Sequence, residues 1–383
     1  MAVFLLIVKV NIVKSEHSHF LYYTPMKFSF QILSLLAVLA LSAFAENFCG
    51  MIDVPITWTK EKSPYRITGD IQISPAARLT VEAGVEILIV PGEACGETKQ
   101  LDWSDSTFIS IKAFGPIIIK GTSDEPVRIL PENHIPGKIQ WDGIRLPLKD
   151  KESVSIEYLH IMGAHKAINA SYSIFNVGNS LFMGNNTGIW LENEGDVAIY
   201  NCIFTENLSA GVYISNSRPA IAANIFYKNS NFGIWSDSRK SPRIQNNIFF
   251  ANTDTDCRFC PAGTARIIKN ENGTFKDKFE NIFSDPIFVG SSKEKIMEKN
   301  DLNLPTPKEN IKDTSLQKIY ETSTGHSPPV ANPSTNRPFV LSKYSPALNA
   351  APNTDFFKDE DGSKGDIGIY GGKPGRANKS ISL

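Results

Sequence analysis

The chain has 383 residues, 42% of them hydrophobic and 21% charged, which supplies an ordered core and excludes gross disorder. A net charge of -1 excludes the global basic field that draws nucleic acid. Five cysteines are too few for a disulfide-built scaffold, and their odd number leaves one thiol without a partner inside the chain.

Two apolar stretches open the chain. The second has the layout of a signal peptide over residues 26–45: Met26 and Lys27 start it, Phe28 to Leu41 form a short apolar segment, and Ala43-Phe44-Ala45 places small residues before Glu46. Cleavage is expected there, giving a secreted or cell-envelope protein with no stable membrane span after processing, because the apolar segment is too short to span comfortably. Lys9 and Asn11 interrupt the first stretch, so residues 1–25 read as a start-site artefact, the alternative being an N-terminal anchor. Glu46 and Phe48 before Cys49 do not resemble a lipid-attachment box.

Ile67 to Val90 and Phe108 to Leu130 alternate apolar and polar residues and are broken at Gly69, Gly84 and Gly121, as broad starting coils would be. A repeat follows. Phe182, Phe204, Phe226 and Phe249 recur in one frame. Asn185, Asn207, Asn229 and Asn252 follow them, and Ser180, Cys202, Asn224 and Asn247 precede them. Gly188-Ile189, Gly211-Val212 and Gly233-Ile234 repeat in the same phase, and Leu159, Ile161, Ala164 and Ile168 extend it backwards. The segments between turns are short and β-rich, with no sustained 3.6 period. This predicts an all-β right-handed parallel β-helix over residues 46–290, about ten coils of roughly 22 residues each. Like residues would stack about 4.8 Å apart, Phe inside and Asn at the turns. Cys257 and Cys260 have no second pair or nearby His for zinc, which leaves a local disulfide or two part-buried thiols. Residues 291–337 are polar and read as a long loop or partly disordered excursion. Residues 338–383 read as a small C-terminal cap and tail, with Phe339-Val-Leu and Ile367-Gly-Ile-Tyr as short strands.

Several segments carry a family likeness: Leu79-Thr-Val-Glu-Ala-Gly-Val-Glu-Ile, Lys120-Gly-Thr-Ser-Asp-Glu-Pro-Val-Arg-Ile, Trp141-Asp-Gly-Ile, Asp285-Pro-Ile-Phe-Val and Tyr344-Ser-Pro-Ala-Leu-Asn-Ala. The stretch from Asp359 to Gly372 completes them. The chain resembles bacterial secreted right-handed parallel β-helix repeat proteins of the pectate-lyase-like superfamily. The resemblance implies fold, not reaction, and function has to come from the site. Asn252-Thr253-Asp254 is similar to a polygalacturonase motif, but the paired aspartates and the Gly-His-Gly of that family are missing. The clustered calcium aspartates of pectate lyases are not evident either.

Repeat registration turns outward residues into columns. One column reads Arg145, Asn169, Trp190, Tyr213, Trp235, Arg258. Flat aromatic faces one coil apart suit stacking on an extended sugar chain, and the arginines suit carboxylates or sulfates. The resemblance places a groove along this face. If loops cover the strip, it is instead a satellite core. A second column reads Pro147, Ser171, Glu192, Ser215, Asp237, with Glu192 and Asp237 roughly 9–10 Å apart. That approaches the separation of about 6.5–9.5 Å between the acid and base of inverting glycosidases, though exposed carboxylates are often only solvated. Asp359, Asp361, Ser363 and Asp366 form a Gly-punctuated acidic loop that calcium would fit, or a turn whose carboxylates cap backbone amides. His134, His160 and His165 read as satisfied surface side chains, His160 pointing outward between Leu159 and Ile161.

The expected function is binding of a polysaccharide or cell-surface glycan outside the cytoplasm. The alternative is a polysaccharide lyase or glycoside hydrolase acting in the same groove.

Overall fold

The computed structural model describes residues 46–91, 108–147, 154–193, 197–237, 239–269, 274–300, 337–359 and 361–372. All belong to the compact unit Ala45–Leu383. Residues 1–25, the expected signal peptide and residues 301–336 lie outside the described residues.

The chain winds as a right-handed parallel β-helix with three faces. The first face is an eight-stranded ladder from Ile56–Trp58 to Arg243–Gln245. The second runs from the N-terminal half of Tyr65–Ile73 to Ile248–Phe250, and the third from the C-terminal half of that strand to Thr255–Arg258. Tyr65–Ile73 pairs on both faces and so joins them into one sheet. These ladders give eight regular coils, fewer than the ten expected. Past Arg258 the chain leaves the ladder for a two-stranded hairpin, Ile268–Lys269 with Phe275–Lys276, and regains the stack only at a bridge between Ile248 and Ile282. The helix Ser292–Asn300 opens the polar excursion. Among the described residues, no helix is long and apolar enough to cross a membrane.

Inside the prism the Phe column forms as the repeat requires. Phe182, Phe204, Phe226 and Phe249 stack at 4.8, 5.0 and 4.9 Å, and Phe283 extends the pile at 5.6 Å. The recurring glycines make room for it. A Cβ on Gly211 would lie 2.7 Å from the Gly233 carbonyl oxygen and 2.8 Å from the Phe226 ring, closer than real Cβ contacts come.

Two columns of buried amides run beside the rings. Asn207 Oδ1 accepts from the Asn185 backbone and side chain, and Asn207 Nδ2 donates to the Phe182 carbonyl and to Asn229 Oδ1. Every donor and acceptor of that side chain is used, which is what permits an amide to sit in a dry core. Asn224, Asn247 and Asn281 form the second column, and the backbone N–H of the buried Cys202 donates to its first member, Asn224.

The second face has a core on both sides. Its outward residues Leu181, Met183, Ile203, Ile225 and Ile248 join Phe288, Phe339, Phe357, Ile367 and Ile369 of the returning C-terminal segment in a second apolar cluster. Outward Asn side chains with positive φ fasten that segment to the coil corner. Asn179 donates to the carbonyls of Ile369 and Gly371, and Asn201 to those of Asp366 and Gly368.

Two expectations are corrected here. Among the described residues of 338–372 there is no strand: Phe339-Val-Leu and Ile367-Gly-Ile-Tyr lie in turns and bends, with one bridge between Phe288 and Leu341. Gly368, at φ +112°, bends the backbone there, and the segment meets the solenoid through side chains and isolated bonds such as that from the Gly368 N–H to the Ala223 carbonyl, not through a continuous ladder. His160 does point outward, but it is buried, 5% exposed, because the outer side of its face is covered.

Candidate functional site

The third face carries the expected columns in register. Arg145 pairs with Asn169, Asn169 with Trp190, Trp190 with Tyr213, Tyr213 with Trp235, and Trp235 with Arg258. Ile189, Val212 and Ile234 beside them are fully buried, so alternation leaves the aromatics outward and half-exposed. Ser171, Glu192 and Ser215 also pair in sequence, and the Ser215 hydroxyl donates to Asp237 at 2.9 Å.

The rings do not lie flat against solvent, as the sequence suggested. Trp190 and Tyr213 stack at 3.6 Å with planes 9° apart, and Tyr213 and Trp235 at 4.2 Å with planes 4° apart. Each ring covers its neighbour's face and turns an edge outward. Lys166 Nζ closes the top of the pile, 3.7 Å over the Trp190 ring. Phe259 closes the bottom, meeting Trp235 at 6.2 Å and 87°. Ring edges are the electropositive rims of the aromatic quadrupole, so the strip suits oxygen-rich groups at its edge better than a sugar laid on each face.

A polar cluster that the sequence reading missed sits at the head of the pile. Asp142, almost fully buried, accepts a hydrogen bond from Arg145 Nε, and His165 Nδ1 lies 4.0 Å away. Burial lowers the pKa of Lys166, although Glu192 and Asp142 oppose the shift. Burial also lowers that of His165. Trp190 Nε1 donates to Glu192. Of this cluster the sequence placed Arg145 in the outward column and read His165 as a surface side chain; Asp142 was marked only by the stretch Trp141-Asp-Gly-Ile, which speaks first for the fold, and Lys166 lies three residues before the Asn169 column position.

Glu192 and Asp237 stand in one column, on either side of Ser215. Burial would raise Asp237, but the backbone N–H of Arg239, the Ser215 hydroxyl and the backbone N–H of Asn216 outweigh it and hold the carboxyl below its usual range. Arg239 adds an ion pair at 3.3 Å. A carboxylate held that firmly is an acceptor and a poor proton donor. Burial and the carboxylates of Asp237 and Glu192 push the Tyr213 phenol up, which keeps it a neutral hydrogen-bonding group.

The other candidates lie elsewhere. In the C-terminal segment Asp359 accepts from the Gly372 backbone, Asp361 from Ser363 and Asp366 from Asn349, while Ser363 accepts at its carbonyl from Asp359. Among the described residues no three His, Cys, Asp or Glu side chains gather as a metal-binding group. Cys257 and Cys260 are joined in a disulfide, and Cys49 is disulfide-bonded as well.

These features define a right-handed parallel β-helix protein with a solvent-facing aromatic stack. Residues 132–273 match the family model described as Right handed beta helix region, which spans the coils that carry the stack. No curated protein and no solved structure matches the chain.

Proposed function

We propose that the protein binds an extended polysaccharide outside the cytoplasm, with the sugar chain running along the third face. The observation that carries this is the Trp190–Tyr213–Trp235 pile, three large rings turned toward solvent on successive strands of a rigid sheet. A monomer surface seldom holds such a strip without a partner. The adjoining column of Ser171, Glu192, Ser215 and Asp237 supplies hydroxyls and carboxylates beside it, the groups that hydrogen-bond sugar hydroxyls. Coils repeat about every 4.8 Å along the axis, so a repeating ligand meets a repeating surface. Strands hold the rings in place before binding, which avoids a loop-ordering cost. Both disulfides are consistent with an oxidising compartment and with export.

The test is retention of the purified protein on immobilised pectin, alginate, xylan and glycosaminoglycans, followed by tryptophan fluorescence. Retention on at least one polymer, lost in the Trp190→Ala/Trp235→Ala variant, supports the reading. A protein that passes through every polymer unretarded overturns it. Release of new reducing ends or unsaturated uronates in the same reactions would turn the binder into an enzyme. N-terminal sequencing of exported protein should begin at Glu46.

A further inference from the structure

We propose that Phe259 is the face-on sugar platform of this lane, and that the Cys257–Cys260 disulfide holds it there; the inference rests on the polysaccharide reading above. The rings of Trp190, Tyr213 and Trp235 are nearly parallel and piled face to face from coil to coil, so their planes cut across the solenoid axis. None of them can offer a face to a sugar chain running along that axis. Phe259 is turned 87° from Trp235, so its plane runs with the axis. A pyranose lying along the lane presents the apolar C–H side of its ring to a plane so oriented.

The backbone points the same way. Arg258 continues the outward column below Trp235, and Phe259 follows it at the corner of the last coil. Phe259 is 54% exposed, so the core does not require it. It sits at φ +52°, the left-handed corner conformation that recurs along the coils, as at Tyr172, Asn193 and Asn216, and the chain turns there out of the strand. In the free protein the ring meets Trp235, edge-on, and the Arg258 guanidinium, whose carbon lies 5.0 Å over the ring centre on one face. The disulfide supplies the restraint. Cys257 pairs with Ile234 in the ladder, Cys260 lies 5.7 Å away between Cα atoms, and both pack against the main core. The bridge therefore closes a small ring around Arg258 and Phe259 and anchors both of its ends.

The experiment uses the immobilised polymer that retains the wild-type chain best. Phe259→Ala should weaken retention about fivefold, the worth of one ring contact, while leaving the unfolding midpoint in place. Phe259→Trp should restore it. Cys257→Ser/Cys260→Ser should weaken retention to a similar extent, and adding Phe259→Ala to that background should cost nothing further, because an unheld ring no longer contributes. Should the paired Cys variant fail to fold, the two Phe259 variants still decide the matter. Unchanged retention in Phe259→Ala, with loss in Trp190→Ala/Trp235→Ala, would overturn the platform and leave the lane intact. A wild-type chain that no polymer retains would instead overturn the polysaccharide reading, and the platform with it.

Discussion

Asn252 donates an Nδ2 hydrogen to the Asp256 carboxylate at 2.9 Å, and this bond ends a ladder of amides that began at Asn185. The second ladder ends the same way, Asn281 donating to Asp277 at 2.9 Å. Stacked amides are directional: each passes a donor toward the C-terminal end and receives one from the coil before. The last amide has a hydrogen left over, and an ionised carboxylate, which only accepts, is the group that takes it without adding another donor.

The terminating carboxylate carries a cost that can be measured. Burial pushes the Asp256 carboxyl up, and the Asn252 amide only partly offsets this. Its folded pKa therefore lies above the unfolded value, and the folded state binds more protons between the two. Stability should fall as pH rises through that window. Asp256→Asn keeps an acceptor and removes the charge, so its denaturant midpoint should lose this component of the pH dependence, the fall in stability as pH rises above the ordinary carboxylate range. An unaltered slope in the variant would show that Asp256 is solvated.

In the middle of the ladder the cost of removal is larger. Asn229 accepts from the backbone and side chain of Asn207 and donates to the Phe204 carbonyl and to Asn252. Asn229→Ala strands all four partners in a dry core and should cost about 3 kcal/mol or more. Phe204→Ala, beside it, removes a fully buried ring stacked on both faces and should cost about 3–5 kcal/mol. Denaturant midpoints measure both, and a shift worth under about 1 kcal/mol for either would contradict the packing described.

The repeat made these interior columns legible. Phe and Asn recur in phase, and a solenoid converts phase directly into contact. The outward columns of the third face were legible for the same reason. The ring orientation was not, because spacing fixes where a side chain starts and not how it tilts. Lys166 and Phe259 escaped notice because each occurs once, at an end of the pile, where no repeat marks it. The cover on the second face left a signal that alternation hides: Leu181-Phe182-Met183 and Ile248-Phe249 are apolar at consecutive positions, as strands buried on both sides are.

His160 registers that cover. Burial, aided by the Arg128 charge, pushes its pKa down to about 3, from about 6.5 for an exposed imidazole. The unfolded chain thus binds the extra proton between these values, so stability should rise with pH across the interval and level off above it. The slope is at most about 1.4 kcal/mol per pH unit from this one group. His160→Leu should abolish that slope. It also removes a buried Nδ1 that has no hydrogen-bond partner, and it places Leu beside Leu181 in the same column. If the variant and wild type lose stability in parallel below about pH 6, the imidazole is reached by water and the cover is loose.

The aromatic pile gives the prediction that separates surface from core. Trp190, Tyr213 and Trp235 contact one another, so removing two rings is not free: Trp190→Ala with Trp235→Ala should cost about 1–2 kcal/mol in lost stacking. That is well short of the loss expected when a buried ring leaves a cavity, since the strand beneath is held by Ile189, Val212 and Ile234. Unfolding should stay cooperative while glycan retention disappears. Lys166→Met should lower retention less, because the ammonium caps the pile and lies near Glu192 without forming part of the aromatic strip. Arg145→Ala and Arg258→Ala report on the ligand's charge. A neutral glycan should leave their effect independent of salt. An anionic one should make it fade as ionic strength rises, because screening weakens the half-exposed Arg145 and the exposed Arg258 first. A double Trp variant that unfolds outright would make the column a core element and remove the support for the lane.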